Sequence, residues 1–579
     1  MGIIIKCRYN IFCRIDLFPL FIPSVPTFHY SIIPCGFLTW MATKNAIFPR
    51  IYRNSETFLI NSQETNMQLI DQMLDSNAKA YPDNEALIVE NTTLTYRELN
   101  NNVNKLANGL RKLGIDRGDP VMVQLANGPE IIIAHYAIIK IGAIAVPLNV
   151  MYLAHEIAYI GKDTGAKAMI VHTRFLQLLE TVRPDLPELR HIIVVGDGAG
   201  EDTLQFQHLI SDSDEDRNPG NAKFDDIASI IYTSGTTGRP KGATQTHRGI
   251  LSNVSSLCNF NKFNHSDRLM CALPLFNNFA LNVVMMSAFY LGNTLIVVDR
   301  FEAQKVLAHI SRHKATYFAG TPTMYVYLLQ AYDPVRQDVT SLRVVNCGGA
   351  HCPASLIKNV EKTFKVVFLN GYGQTEGCGF TTLNPIVGVR KTESVGIPLA
   401  NIWLKIVDDN FKELPVGQVG EIAEKGDVFS IHGYWKQPEI NREVYKQGWF
   451  HSGDLGYVDE DGYLYVVDRK QDLIITGGAN IYPVEVEEVL YTHPAIALAA
   501  VIGIPDSVKG ELAVAYIVLK EGAIATEKEI IEFARSRIAK YKAPRRVEFV
   551  ASLPQGPTGK ILKRELRAKL LNKKSRIKA

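Results

Sequence analysis

The segment Ser229-Ile230-Ile231-Tyr232-Thr233-Ser234-Gly235-Thr236-Thr237-Gly238-Arg239-Pro240-Lys241-Gly242 concentrates the residue types that bind a polyphosphate. Ile230, Ile231 and Tyr232 predict a buried strand that ends in a loop of glycines and hydroxyls. Gly235 and Gly238 let backbone N–H groups converge on an anion without side chains in the way. Thr233, Ser234, Thr236 and Thr237 add neutral donors, and Lys241 adds a point charge. The Walker loop is excluded: it needs Gly-x-x-x-x-Gly-Lys and then Ser or Thr, whereas here Gly238 follows Gly235 too soon and Lys241 precedes Gly242. Composition alone leaves a second reading open, that of a surface turn.

Five more stretches carry residues suited to chemistry. Asn346-Cys347-Gly348-Gly349-Ala350 reads as a strand running into a tight glycine turn. Asn370-Gly371-Tyr372-Gly373-Gln374-Thr375-Glu376 begins like a dinucleotide fingerprint, but Glu376 stands where the third glycine should be. Its aromatic face, hydroxyl and carboxylate suit a base, a phosphate and a hard cation respectively. Trp449-Phe450-His451-Ser452-Gly453-Asp454-Leu455-Gly456 offers the carboxylate of Asp454, whose commoner fate taken alone is a surface ion pair. The run Thr476 to Glu487 starts with the glycine pair Gly477-Gly478, and Pro557-Thr558-Gly559-Lys560 precedes a basic helix expected to present a solvated face.

In their order and wording these stretches resemble the motifs of the adenylate-forming (AMP-binding) superfamily of acyl-CoA synthetases, adenylation domains and luciferases. The similarity runs from about Met67 to Leu570 and leans toward the fatty-acid–CoA ligase branch. It implies that the Thr233–Lys241 loop, with Ser234, Gly235, Thr236, Thr237 and Gly238, cradles the phosphates of ATP. It implies that Gly349, Ala350, Asn370 and Gly371 line the nucleotide, that Tyr372 stacks on adenine, and that Thr375 contacts the α-phosphate. Glu376 would help hold Mg²⁺, and Asp454 and Arg469 would hold the ribose. Gly477 and Gly478 would line a tunnel for the pantetheine arm of CoA. Lys560 would touch the carboxylate and α-phosphate, so that Lys560, Thr236 and Glu376 form the catalytic set. The acyl pocket would be drawn from Phe276, Asn277, Phe279, Met324, Gly348, Gly349, Gly371 and Cys378. Two positions depart from the family pattern: Asn277 replaces a histidine, and Gln471 occupies the hinge usually held by Asp or Lys.

The elements that must position these residues alternate. Thr95 and Glu98 have capping-box spacing ahead of a helix whose apolar residues are Leu99, Val103, Leu106, Leu110 and Leu113. Apolar strands are expected over 120–125, 143–147, 168–171, 192–195, 294–298, 315–318 and 343–346, with helices between them, including 131–141, 301–312 and an apolar helix through Met285 and Phe289. This is α/β logic with sheets covered on both faces. After Thr392, turns and alternating runs predict antiparallel strands in a barrel-like subdomain. Residues 468–472 read as an exposed linker to a small, mobile α+β domain with helices at 483–491 and 527–539 and strands at 497–502 and 513–519. The implied domains are an extension over 1–66, a large AMP-binding domain over 67–468 and a small C-terminal domain over 469–579. The extension is read as disordered or as a mis-assigned start, a targeting segment being the other reading.

The bulk composition fits a soluble enzyme: 579 residues, 46% hydrophobic, 21% charged, net charge +3. Near-neutrality argues against a nucleic-acid partner. No run approaches the roughly 18 apolar residues of a membrane span, and eight cysteines without paired spacing read as reduced thiols in a cytoplasmic protein. Peripheral membrane contact and a homodimer are compatible with this reading. The resemblance implies an ATP-dependent acid–CoA ligase acting on a medium- or long-chain fatty acid through an acyl-adenylate. The alternatives are a coumarate- or benzoate-type ligase and a non-catalytic nucleotide-binding member of the fold.

Overall fold

The computed structural model describes residues 3–6, 12–15 and 69–578, apart from 199, 217–219, 234–239, 507 and 557–558, with side chains from 69 to 570. Two compact units are present, 1–67 and 68–579. In the first, Ile3–Lys6 pairs antiparallel with Phe12–Ile15; the rest of the expectation for 1–66 lies outside the described residues.

The second unit is built on two large sheets. One has seven strands, in the order Lys241–Thr246, Ile227–Thr233, Ile144–Pro147, Pro120–Gln124, Ala168–His172, His191–Val195, Leu204–Gln205. Its central strands are parallel and buried on both faces, as their unbroken apolar runs require. Alternation shows why: Val121 and Val123 join the main core, while Met122 between them joins a second core with Ile157, Ile160, Leu179 and Val182. The other sheet has nine strands and includes Thr294–Val297, Arg268–Cys271, Tyr317–Gly320, Val344–Cys347 and Val367–Gln374, all parallel. Residues of both sheets and of the helix Pro129–Lys140 share the main core. That helix is buried from Ile131 to Lys140, and the Lys140 ammonium is compensated by Asp75 at 2.8 Å and Asn104 at 2.6 Å. The expected capping box forms: Glu98 N donates to Thr95 Oγ1, and Thr95 N donates to Glu98 Oε2 at 2.8 Å.

The barrel-like subdomain appears as a five-stranded antiparallel sheet around Gly420–Gly426 and Trp449–Val458, with Leu464–Arg469 along its edge. The last sheet joins Ile496–Asp506 and Gly510–Leu519, and Arg546–Phe549 adds in parallel. One face of it packs on Pro483–Tyr491 and Glu527–Arg535, the other on Leu553, Leu566 and Leu570.

Four local expectations change. The helix expected over 527–539 stops at Arg535, in a turn closed by Ser536. The apolar helix through Met285 is a π-helix over Phe279–Met286, in which Asn282 Nδ2 reaches back to Asn278 Oδ1 at 2.8 Å. The linker expected to be exposed begins with a buried residue: the alternation of Leu464–Arg469 turns Asp468 inward, where it accepts from Val484 N at 3.2 Å. The basic helix expected to be solvated is partly turned inward, because Glu487 and Asp472 are brought against it. Lys563 Nζ lies 2.8 Å from Glu487, and Arg567 lies 2.9 Å from Asp472.

Candidate active site

The strands Ile227–Thr233 and Lys241–Thr246 are antiparallel partners, with Thr233 opposite Lys241. The residues between them, including Ser234, Gly235, Thr236, Thr237 and Gly238, lie outside the described residues. What the sheet contributes is the loop's two ends, held one strand spacing apart, with Lys241 at the mouth.

Facing this mouth is the end of Val367–Gln374 and the short turn Thr375–Gly377 that follows. Buried amides fix the turn from below. Gln245 Nε2 donates to Thr375 O at 2.7 Å, Asn282 Nδ2 to Cys378 O at 3.0 Å, and Asn253 Nδ2 to Gly377 O at 3.2 Å. Glu376 is half-buried, and burial raises its carboxyl above the usual range, partly offset by a hydrogen bond from Tyr434. Asn370 is buried and holds the neighbouring strand, its carbonyl accepting from Asn384 N at 3.0 Å. Beside it, Gly349 and Ala350 are exposed at the turn after Val344–Cys347.

Three elements distant in sequence meet at one carboxylate. The Tyr372 hydroxyl donates to Asp454 Oδ2 at 2.7 Å, and Arg469 Nε lies 3.5 Å from Asp454 Oδ1. Asp454 and Arg469 are register partners on adjacent strands, which explains why a motif and a linker arginine converge. Lys560 joins them. It follows a turn in which Gly556 N donates to Lys560 O at 2.8 Å, and its ammonium is lowered to about 8 by burial and by the Arg469 charge, with Asp454 and Asp472 opposing. Gly559 brings this turn against the large sheet's helix Pro322–Ala331: a Cβ there would sit 3.0 Å from Thr321 Oγ1.

The residues expected around an acyl group separate into two places. Phe276 and Met324 line a cavity of about 340 Å³ with Met151, Leu273, Phe301, Tyr327, Gln555, Gly556 and Gly559; Asp299 and Arg300 also reach its wall. Phe279, Gly348 and Gly371 instead gather around Phe380. Its ring meets Phe279 edge-on at 5.2 Å and fills the space over Gly348, where a Cβ would come within 2.4 Å of Cε1. Just before the π-helix, Asn277 Oδ1 accepts from Phe279 N at 3.0 Å, and the Cys378 thiol donates to Val428 O at 3.2 Å. Gly477 and Gly478 form an open turn with φ of +57° and +81°, values that exclude most side chains, and Gln471 is exposed.

Mg²⁺ is compatible with this donor set. Among the described residues no three His, Cys, Asp or Glu side chains cluster to cage a metal, and Glu376 offers one carboxylate beside the phosphate-loop ends. A single carboxylate supplemented by substrate phosphates is how Mg²⁺ is commonly held. The five described cysteines are unpaired and buried, as expected of reduced thiols. No helix among the described residues is long and apolar enough to cross a membrane.

Three side chains that organise the site carry no motif of their own: Tyr434, Gln245 and Glu424. Glu424 is buried on Gly420–Gly426, accepts from Gln374 Nε2 at 2.5 Å, and is pushed up to about 7 by burial. A carboxylate in a strand position that alternation marks as inward is the one signal that could have revealed it.

Comparison with known proteins places this arrangement. Residues 74–435 match the family described as AMP-binding enzyme, and residues 485–560 match the AMP-binding enzyme C-terminal domain. The chain is 34% identical over 532 residues to a long-chain-fatty-acid–CoA ligase of Bacillus subtilis (strain 168), covering 86% of this chain and 94% of that one. It is 37% identical over 479 residues to a feruloyl-CoA synthase of an Amycolatopsis species, covering 82% and 94%. Its fold superposes on the crystal structure of the anthranilate CoA ligase AuaEII in complex with anthranoyl-AMP with a TM-score of 0.84, at 32% identity over 88% of this chain and 98% of that one. Sequence, fold and the meeting of the motifs at Asp454 therefore agree: the chain belongs to the AMP-binding enzyme family, among its AMP-forming acid–CoA ligases.

Proposed function

We propose that the chain activates a medium- or long-chain fatty acid with ATP, releasing pyrophosphate, and then passes the acyl group to CoA. The observation that carries this reading is the convergence of Tyr372, Asp454, Arg469 and Lys560, from elements far apart in the sequence, around one carboxylate. In the first half-reaction a substrate carboxylate oxygen attacks the α-phosphorus of ATP and pyrophosphate leaves. Two anions must approach, so fixed cations and donors lower the barrier. Lys560 serves between carboxylate and α-phosphate, Lys241 and the loop hydroxyls of Thr236 and its neighbours on the outer phosphates, and Thr375 on the α-phosphate. Asp454 and Arg469 hold the ribose, and Tyr372 packs on the adenine. Glu376 would hold Mg²⁺, whose charge would offset that of the phosphates.

In the second half-reaction the CoA thiolate attacks the acyl carbonyl and AMP leaves, so no protein nucleophile is required. The small domain, 469–579 in this reading, turns about Gln471 to withdraw Lys560 and present Gly477-Gly478. The docking of Lys560 beside Asp454 and Arg469 supports its role in the first half-reaction.

The mainly apolar cavity at Phe276, Met324 and Leu273 supports a fatty acid. The aromatic alternative is supported by the likeness to feruloyl and anthranilate ligases.

Pyrophosphate release from octanoate, palmitate, 4-coumarate, benzoate and malonate, with ATP and Mg²⁺ and with or without CoA, tests both. Release with a fatty acid that ends in acyl-CoA and AMP supports the proposal. Release only with aromatic acids moves the chain to the alternative, and ADP as product would reject an adenylate.

A further inference from the structure

Lys241 and Glu376 carry opposite charges and belong to the same corner of the site, yet no ion pair joins them. A third side chain neighbours both. The Tyr434 hydroxyl donates to Glu376 Oε1 at 2.5 Å, and Lys241 Nζ lies 5.5 Å from the centroid of the Tyr434 ring. One neutral residue thus addresses both charges, its hydroxyl bonded to the anion and its ring within cation–π range of the cation.

Tyr434 is fixed in place. Its segment runs antiparallel along Lys241–Thr246: Ala243 bridges Tyr434, Trp435 N donates to Gly242 O at 2.8 Å, and Thr244 Oγ1 donates to Gly433 O at 2.6 Å. Asn441 clamps the same residue, accepting from Tyr434 N at 2.7 Å and donating to Tyr434 O at 2.9 Å. The side chain is 8% exposed. A phenol is a hydrogen-bond donor that carries no charge of its own near neutral pH. A hydrogen bond of this kind steadies a carboxylate and leaves its charge in place, whereas a direct lysine–carboxylate contact would consume both charges.

We propose that Tyr434 is a positioning residue that holds Lys241 and Glu376 in reach of each other without letting them pair, so that the ammonium stays available to a polyphosphate and the carboxylate to a divalent cation. This rests on the adenylating reading above. Without the ring, Lys241 would fold onto Glu376 and the site would neutralise itself.

Two variants separate the contacts: Tyr434→Phe removes the hydroxyl and keeps the ring, and Tyr434→Leu removes both. The first readout is calorimetric binding of ATP in EDTA, which needs no turnover; the second is the Mg²⁺ concentration for half-maximal pyrophosphate release. Tyr434→Phe is expected to bind metal-free ATP as the wild type does and to need about ten-fold more Mg²⁺, the scale of one lost charge-assisted hydrogen bond. Tyr434→Leu is expected to lose about ten-fold in metal-free ATP affinity as well, and adding Glu376→Gln to it should restore that affinity by removing the competing carboxylate. Melting temperatures show that each variant is folded. Identical behaviour of the two single variants in EDTA, or a loss that Glu376→Gln does not reverse, overturns the proposal. A wild type that binds ATP but releases no pyrophosphate with any acid would instead reject the adenylating reading, a result the EDTA measurements keep distinct.

Discussion

The Tyr372 hydroxyl donates to Asp454 Oδ2 at 2.7 Å across 82 residues of sequence. The bond ties the nine-stranded sheet, through Val367–Gln374, to the five-stranded one, through Trp449–Val458. The same carboxylate faces Arg469. Asp454 is therefore aimed by one neighbour from each side before any nucleotide arrives.

Removing that carboxylate should act on nucleotide binding. Asp454→Ala is expected to raise the KM for ATP by about ten- to a hundred-fold, the range of charge-assisted hydrogen bonds to two hydroxyls. Tyr372→Phe, which loses only the aiming bond, should raise it less. Steady-state kinetics with saturating acid and CoA compares the two, and an Asp454→Ala enzyme with unchanged KM would remove Asp454 from the ribose site.

Lys560 sets a pH dependence. Its ammonium, lowered to about 8, is charged below that pH and neutral above it. If the charge works in the first half-reaction, kcat/KM for pyrophosphate release falls as pH rises through about 8, because that parameter reports the free enzyme. Lys560→Arg keeps its charge and should be slower but flat to pH 10. Lys560→Ala should lose about a hundred-fold or more in adenylation and spare thiolation of supplied acyl-adenylate. Equal loss in both half-reactions would contradict the assignment.

Glu424 imposes a cost on the native state as pH rises. Its folded value of about 7, against an ordinary 4.5, reflects burial first; Thr381 and Gln374 oppose this, while Asp454 and Glu376 add to it. A carboxyl raised on folding contributes stability below its unfolded value that is lost as pH climbs through the folded one. Glu424→Gln retains an oxygen for the Gln374 donor. It should raise the melting temperature by a few degrees at pH 8.5 and leave it nearly unchanged at pH 4, the difference being bounded on the order of 3 kcal/mol. A Gln variant that gains equally at both pH values would show that ionisation of Glu424 is not the cause.

His351 Nε2 lies 2.6 Å from Glu488 Oε1, a contact expected to latch the small domain to the large one. The pair links the turn after Val344–Cys347 to the helix Pro483–Tyr491. Being partly solvated, it is worth about 0.5–1 kcal/mol. His351→Ala should therefore slow adenylation only two- to five-fold and leave thiolation of supplied adenylate intact or faster. A double-mutant cycle with Glu488→Ala isolates the pair, and a coupling energy of zero would reject the latch.

Much of the scaffold is legible in the residues themselves. The runs at 120–125, 168–171, 192–195 and 294–298 become central parallel strands within a residue or two of the expected bounds. The Thr95–Glu98 box caps its helix as its spacing predicts. Strand periodicity and caps are short-range effects, decided by neighbours within a turn or a pleat, so local sequence suffices for them. Asn278 and Asn282 are less legible: in an apolar run they read as ordinary helix, and the hydrogen bonds that accompany the π-turn come from Gln245 and the Cys378 carbonyl.

The motifs likewise lead to the proposed kinds of bound group: hydroxyls, glycines and Lys241 for phosphates, Tyr372 for a base, Asp454 for a sugar, Lys560 for an anion. Which of them meet, and through whom, was decided only by tertiary structure. Tyr434 lies far along the chain from Lys241 and sits on it because its segment pairs with the strand that carries the lysine. Glu424 is ordinary by type and becomes costly because two sheets close over it. Residue type determines what a side chain can donate, accept or stack upon. Burial and long-range pairing determine which partner it finds and at what charge, and those are properties of the packed chain as a whole.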